Sequence, residues 1–128
     1  MIKNSQITFL YFADLDAAIP FFEEILGLTK AMDEGWCKVW QVAEKAFLGG
    51  VDVSHGSVAV KERSGTLISI TVPDVDAAYE ELVQKGVAIE KQPHTSSRIP
   101  LRSFFIKGPE GYDFEIQQFL DEALYQVF

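Results

Sequence analysis

The sequence predicts an α+β fold built from two tandem βαβββ modules. Three observations carry that expectation. The stretch Asp14-Leu15-Asp16-Ala17-Ala18 returns 60 residues later as Asp74-Val75-Asp76-Ala77-Ala78. An apolar run precedes each copy, Ile7-Thr8-Phe9-Leu10-Tyr11-Phe12 before the first and Leu67-Ile68-Ser69-Ile70-Thr71-Val72 before the second. Each copy leads into a helical pattern that stops at a glycine, Gly27 or Gly86. Strand, aspartate cap, helix and glycine stop, in that order and twice over, mark a duplicated unit.

Residues 7–13 are aromatic and β-branched, as strands prefer. Alternation puts Ile7, Phe9 and Tyr11 on one face and Thr8, Leu10 and Phe12 on the other. Both faces are largely apolar, so both need a cover. A helix starting at Asp14 or Asp16 runs to Leu26. Either aspartate can cap its free N–H groups. Ala18, Phe21, Phe22, Ile25 and Leu26 fall at the spacing of a buried stripe. Pro20 lies within the first two turns, where it costs little or kinks the helix. Residues 28–32, 36–42 and 47–51 read as three strands. Gly49-Gly50 inside the third suggests a bulge, or backbone pressed close to something else.

The second module repeats this order. Residues 67–72 form its opening strand and residues 74–85 its helix, with Ala78, Leu82, Tyr79 and Val83 facing inward. Residues 87–91, 101–107 and 112–118 are the expected strands. Residues 92–100 form a polar loop with His94, and Gly108-Pro109-Glu110-Gly111 is a turn. The tail from Leu120 to Phe128 has helical spacing and is too short to stand alone. The boundaries are about 6–53 for module one, 54–64 for the connection, 65–119 for module two and 120–128 for a C-terminal helix, in one domain spanning 1–128.

With 128 residues and 48% hydrophobic content the chain can fill one core of ordinary size. Its net charge of −8 argues against a nucleic-acid partner and permits a cationic ligand. The single cysteine, Cys37, excludes an intrachain disulfide. The apolar N-terminal run is too short to span a bilayer and lacks a signal-peptide cleavage site. No membrane association and a cytoplasmic location are therefore expected.

The repeated Asp14–Gly27 and Asp74–Gly86 units, followed by Gly108-Pro109-Glu110-Gly111-Tyr112-Asp113-Phe114-Glu115, resemble the vicinal oxygen chelate superfamily. That group includes glyoxalases, bleomycin-resistance proteins, extradiol dioxygenases and methylmalonyl-CoA epimerases. The resemblance covers roughly residues 6–119. It implies that the modules form a curved mixed sheet around a concave cavity, with helices on the outside and opening strands side by side. It also implies a homodimer.

Metal-using members carry a histidine seven positions before each cap aspartate; here those positions hold Ile7 and Leu67. The first module's carboxylate or amide ligand would fall near Leu48, Gly49 or Gly50, none of which coordinates through a side chain. Glu115 alone stands at a ligand position, and one carboxylate does not hold a transition metal. His55 and His94 lie in loops. No metal and no cofactor are expected.

The cavity implied by the resemblance is lined by Ile7, Phe9, Tyr11, Leu67, Ser69, Thr71, Glu115 and Gln117. Trp36, Trp40, Phe47, Phe104 and Phe105 lie on strands able to add walls, and Trp40 and Phe104 join the expected ligand-binding set. Each aromatic is alternatively a core residue facing the helices. The expected function is metal-independent binding of a small apolar or aromatic ligand, with cations favoured by the acidic balance. The alternative is a lyase, isomerase or dioxygenase in which Glu115 is the base or a metal ligand. A third possibility for Glu115 is pairing with a cation such as Arg102 or Lys38.

Overall fold

In the computed structural model, which describes residues 1–128, the chain divides into two units, Met1–Arg63 and Ser64–Phe128. The first contains β1 (Gln6–Phe12), α1 (Leu15–Pro20), a π-helical turn (Phe21–Ile25), β2 (Thr29–Asp33), β3 (Cys37–Ala43) and β4 (Ala46–Asp52). The second contains β5 (Leu67–Thr71), α2 (Val75–Gln84), β6 (His94–Thr95), β7 (Leu101–Lys107), a 3-10 turn (Pro109–Gly111), β8 (Asp113–Phe119) and α3 (Glu122–Val127). The expected α+β architecture and the βαβββ order are present in both units. Each has a four-stranded mixed sheet, ordered β1-β4-β3-β2 in the first and β5-β8-β7-β6 in the second. In each, the opening strand runs parallel to the last, and the remaining pairs are antiparallel.

The repeated aspartates explain the repeated helix starts. Asp14 accepts the Ala17 N–H at 3.1 Å, and Asp74 accepts the Ala77 N–H at 3.0 Å. The first aspartate of each pair is thus the cap, and each satisfies one orphan donor of a helix N-terminus. Pro20 offers no N–H to the helical ladder. The helix passes it by widening, and the Leu26 N–H reaches back five residues to the Phe21 carbonyl at 2.9 Å. Gly27 and Gly86 end the helices at φ values of 65° and 80°, where glycine escapes the Cβ clash.

One face of each sheet is buried under its own helix. In the first unit Leu10, Phe12, Leu15, Ala18, Phe22, Trp40 and Leu48 form that core. Phe22 stacks on Trp40 with ring centroids 4.4 Å apart. In the second unit Val75, Leu82, Phe104, Ile106, Phe114 and Ile116 are buried. Tyr79 of α2 meets Phe104 edge-on at 5.5 Å. The Val75 N–H donates to Gln118 Oε1 at 3.1 Å and ties the helix start to β8.

The structure corrects three local expectations. Residues 87–91 form no strand. The Val87 N–H is spent on the Leu82 carbonyl at 3.0 Å, closing the helix end after Gly86. The edge position falls instead to His94–Thr95, inside the expected polar loop, paired with Ser103 and Arg102 of β7. Val83 faces outward, 44% exposed, because Leu82 and Val75 take the inward stripe. The C-terminal helix is real, capped by Asp121, which accepts the Leu124 N–H at 3.2 Å. It buries no residue of its own and docks through Phe128, whose ring stacks on Phe119 at 4.8 Å. No helix is long and apolar enough to cross a membrane.

Candidate functional site

The sheet face away from the helix differs in chemistry between the two units. In the second unit, strand alternation places Leu67, Ser69 and Thr71 of β5 on that face. Register sets Glu115 of β8 beside Ser69, and Gln117 beside Thr71. The Ser69 hydroxyl donates to Glu115 Oε2 at 2.6 Å, and Gln117 Nε2 donates to Thr71 Oγ1 at 3.0 Å. Phe105 of β7 lies on the other side of Glu115. Leu67 and Phe105 are 48% and 47% exposed, whereas Glu115 is 8% exposed. A carboxylate is thus sunk between Ser69 and the open Phe105 ring, with Leu67 one step along the face beside Asp113. Phe105 also lines, with Gly65, Thr66, Leu67 and Asp113, a cleft of about 390 Å³.

Arg102, the expected cation in the same unit, is committed elsewhere. Arg102 faces the helix and binds Asp76 through Nε and Nη2, at 3.0 and 2.8 Å. Lys38 belongs to the first unit's own network and binds Asp33 at 2.7 Å. Lys107 pairs with Asp113. Ser69 satisfies one position on a group with room for about four hydrogen bonds.

In the first unit Ile7, Phe9 and Tyr11 of β1 take the corresponding face. Ile7 and Phe9 are 41% and 43% exposed, and Tyr11 is half-buried. The Tyr11 ring lies against Gly56 in the turn after β4. Phe9 is in register with Gly49, whose place in the sheet corresponds to that of Glu115. The pairing of β1 with β4 runs unbroken through Gly49 and Gly50, so no bulge occurs there. Close approach is the reason for both glycines. A Cβ on Gly49 would sit 2.3 Å from Phe9 Cδ1, and one on Gly50 would sit 2.5 Å from Leu15 Cδ1. One glycine admits a ring on the open face, and its neighbour admits the helix on the other.

Trp40 and Phe104 correct the expected set. Both lie on the helix-facing side, at 0% and 1% exposure, and line no open face. Trp40 Nε1 donates to Glu23 Oε1 at 3.0 Å, so its polar end is also committed. That bond, with Lys30 beside it, holds the Glu23 carboxyl below its usual range. Phe104 and Phe105 are adjacent in a strand and must point opposite ways. Parity therefore allowed only one of them on the open face, and it is Phe105.

The segments carrying the histidines make local contacts of their own. Ser54 donates its hydroxyl to Asp52 at 2.6 Å and stands 2.9 Å from His55 Nδ1. These contacts, led by the Ser54 hydroxyl and its backbone N–H, lower the Asp52 pKa. His55 stacks on Trp36 at 6.1 Å, beside a cleft of about 590 Å³ that includes Asp14, Asp16, Lys38 and Asp52. His94 sits in β6 and is exposed.

The donor set does not fit a transition metal. No three His, Cys, Asp or Glu side chains converge. Beside Glu115 stand a serine and a phenylalanine, and its counterpart in the first unit is a glycine under a ring. Three or four ligands of the right kind would be required.

Comparison with known proteins agrees with this architecture. A Bacillus subtilis (strain 168) protein, YraH, is 25% identical, over 84% of this chain and 91% of its own length. A glyoxalase/bleomycin resistance protein/dioxygenase from Nocardioides superposes with a TM-score of 0.76 at 20% identity, covering 95% of this chain and 86% of that one. Lactoylglutathione lyase from Agrobacterium tumefaciens gives a TM-score of 0.71 at 21% identity, covering 88% and 90%. Residues 5–116 match the Glyoxalase/Bleomycin resistance protein/Dioxygenase superfamily, and the chain belongs to that family.

Proposed function

We propose that this chain binds a small apolar or aromatic ligand carrying a cationic or N–H donor group, without a transition metal. The observation that carries this reading is Glu115. A carboxylate that is 8% exposed, with a serine hydroxyl as its partner, retains acceptor capacity. Exposed Phe105 stands beside it and, with Leu67, also lines a cleft of the size that small ligands occupy. Apolar walls would bury the body of the ligand and Glu115 would fix its polar end.

The test is calorimetric titration with 1-naphthylmethylammonium, an aromatic cation, on the wild-type protein and on Glu115→Gln. Saturable binding that weakens about tenfold in Glu115→Gln is expected, the worth of one charge-assisted hydrogen bond. A chelator should leave the wild-type titration unchanged. Loss of binding in chelator, or equal binding by both proteins, would count against the reading.

A further inference from the structure

The first unit holds a cleft of its own, about 590 Å³ in volume and lined by residues of that unit alone. It sits on the helix side of the sheet, away from the open face. Lys38, which lines it, is in register with Gly50, whose side-chain direction points at Leu15. Carboxylates stand around the cleft, and by themselves they would be a solvated rim. Asp14 caps the helix and Asp52 accepts from Ser54, while Asp16 is exposed. Lys38 is the informative group. It is 6% exposed, and its ammonium has one partner, Asp33 Oδ1 at 2.7 Å. An ammonium carries three N–H donors, so two are left. Donors on a buried charge are costly to leave unmade. Trp36 supplies a wall. Its ring is 44% exposed and is backed by His55.

We propose that this cleft is a second ligand site, for an α-amino carboxamide: an ammonium next to a neutral carbonyl, carried on an apolar or aromatic side chain. The carbonyl oxygen accepts from Lys38. Asp16 and Asp52 hold the ammonium, and the side chain packs on Trp36. Charge balance selects a carbonyl over a carboxylate. Asp33 already meets the Lys38 charge, and Asp14, Asp16 and Asp52 leave the cleft acidic. A further anion would be repelled there. The site is separate from Glu115 and does not rest on the reading given for it.

The experiment is calorimetric titration of the full chain with three probes, at about pH 6, below the pKa of an α-amino group. L-phenylalaninamide has the whole recognition element. 2-Phenylethylammonium lacks the carboxamide, and L-phenylalanine carries a carboxylate in its place. The wild-type protein should bind the amide about tenfold more tightly than either of the others, the worth of one hydrogen bond from a charged donor. Lys38→Met keeps the stem, removes the ammonium and should bring amide and amine to equal affinity. Trp36→Leu changes an exposed ring and should weaken the amide about fivefold. Melting curves check folding; should Lys38→Met fail to fold, the wild-type preference and the Trp36→Leu loss decide. An amide preference that survives Lys38→Met, or that disappears in Glu115→Gln, places the ligand elsewhere and overturns the inference. Equal binding of amide and amine by wild type, tighter binding of phenylalanine, full affinity in Trp36→Leu, or no binding of any probe also overturns it.

Discussion

Phe9 and Gly49 hold, in the first module, the positions that Ser69 and Glu115 hold in the second. One pair fits by volume, a ring lying where a side chain is missing. The other fits by a 2.6 Å hydrogen bond. The inward positions of the helices themselves have not diverged in this way. Leu15 and Val75 are both buried, as are Phe22 and Leu82 at the same spacing. Repetition of the fold is therefore kept by the inward stripes of the two helices. The open face, which no helix constrains, is where the two copies acquired different chemistry.

That contrast can be broken in order of size. The largest effects belong to the covered faces. Trp40→Ala and Phe104→Ala should each cost about 3–5 kcal/mol in a denaturant melt, since both rings are fully enclosed. A loss under about 1 kcal/mol for either would mean that its ring is not core. Next comes the glycine pair. Gly50→Ala drives a methyl into Leu15 and Trp40 and should destabilise by about 1–3 kcal/mol. Gly49→Ala meets a movable ring and should cost less; equal losses would erase the distinction between the two faces.

Smaller effects are expected at the polar pair. Ser69→Ala leaves the Glu115 carboxylate without its hydroxyl donor and should cost about 1–2 kcal/mol. Glu115→Gln keeps the shape and an acceptor for Ser69, and should change stability by less than about 1 kcal/mol. A larger loss would make Glu115 a structural partner and remove its binding role.

Acid sensitivity gives the mildest contrast. Asp33 in the first module is held below the usual carboxylate range, first by the Lys38 hydrogen bond and then by the Gly35 N–H. Asp76 in the second is lowered by Arg102. A depressed carboxyl pKa means that the unfolded chain binds the proton more readily. The stability these groups contribute is complete above the ordinary carboxylate range and is lost as pH falls through their lower folded values. Melting temperatures should be level from neutral pH to about pH 5 and decline below about pH 4. Asp33→Asn should flatten that decline more than Asp76→Asn; an unchanged profile in both would assign the acid transition to other groups.

The fold was legible because its signals are local and repeated. Aspartate caps, glycine stops and period-2 runs each act within a few residues, and duplication makes them mutually reinforcing. The edge strand was not legible, because two residues, His94 and Thr95, carry no pattern of their own and are strands only through β7. The open face was legible on the opening strands, where alternation assigns Ile7, Phe9, Leu67 and Ser69. It was misread at Trp40 and Phe104. Their facing depends on register with partner strands, which composition does not reveal. Parity would have limited the choice to one of Phe104 and Phe105, since they are adjacent, and burial decides for Phe105. The role of Gly49 was half-visible: the double glycine signalled close approach, and only the folded chain shows that Phe9 is what approaches.

The parallel closure of each sheet has a consequence for how the chain is made. Gln6 pairs with Ala46, and Leu67 with Asp113. A strand at the start of a module must therefore wait for the last strand of that module to leave the ribosome. At about 5–20 residues per second the wait is roughly a few seconds. During it, Ile7, Phe9, Leu10 and Phe12 form an apolar strand with both edges unpaired, the kind of segment that captures other chains. Each nascent module thus passes through a stage in which its opening strand is unpaired and open to aggregation, and at which a chaperone would find an apolar segment to hold.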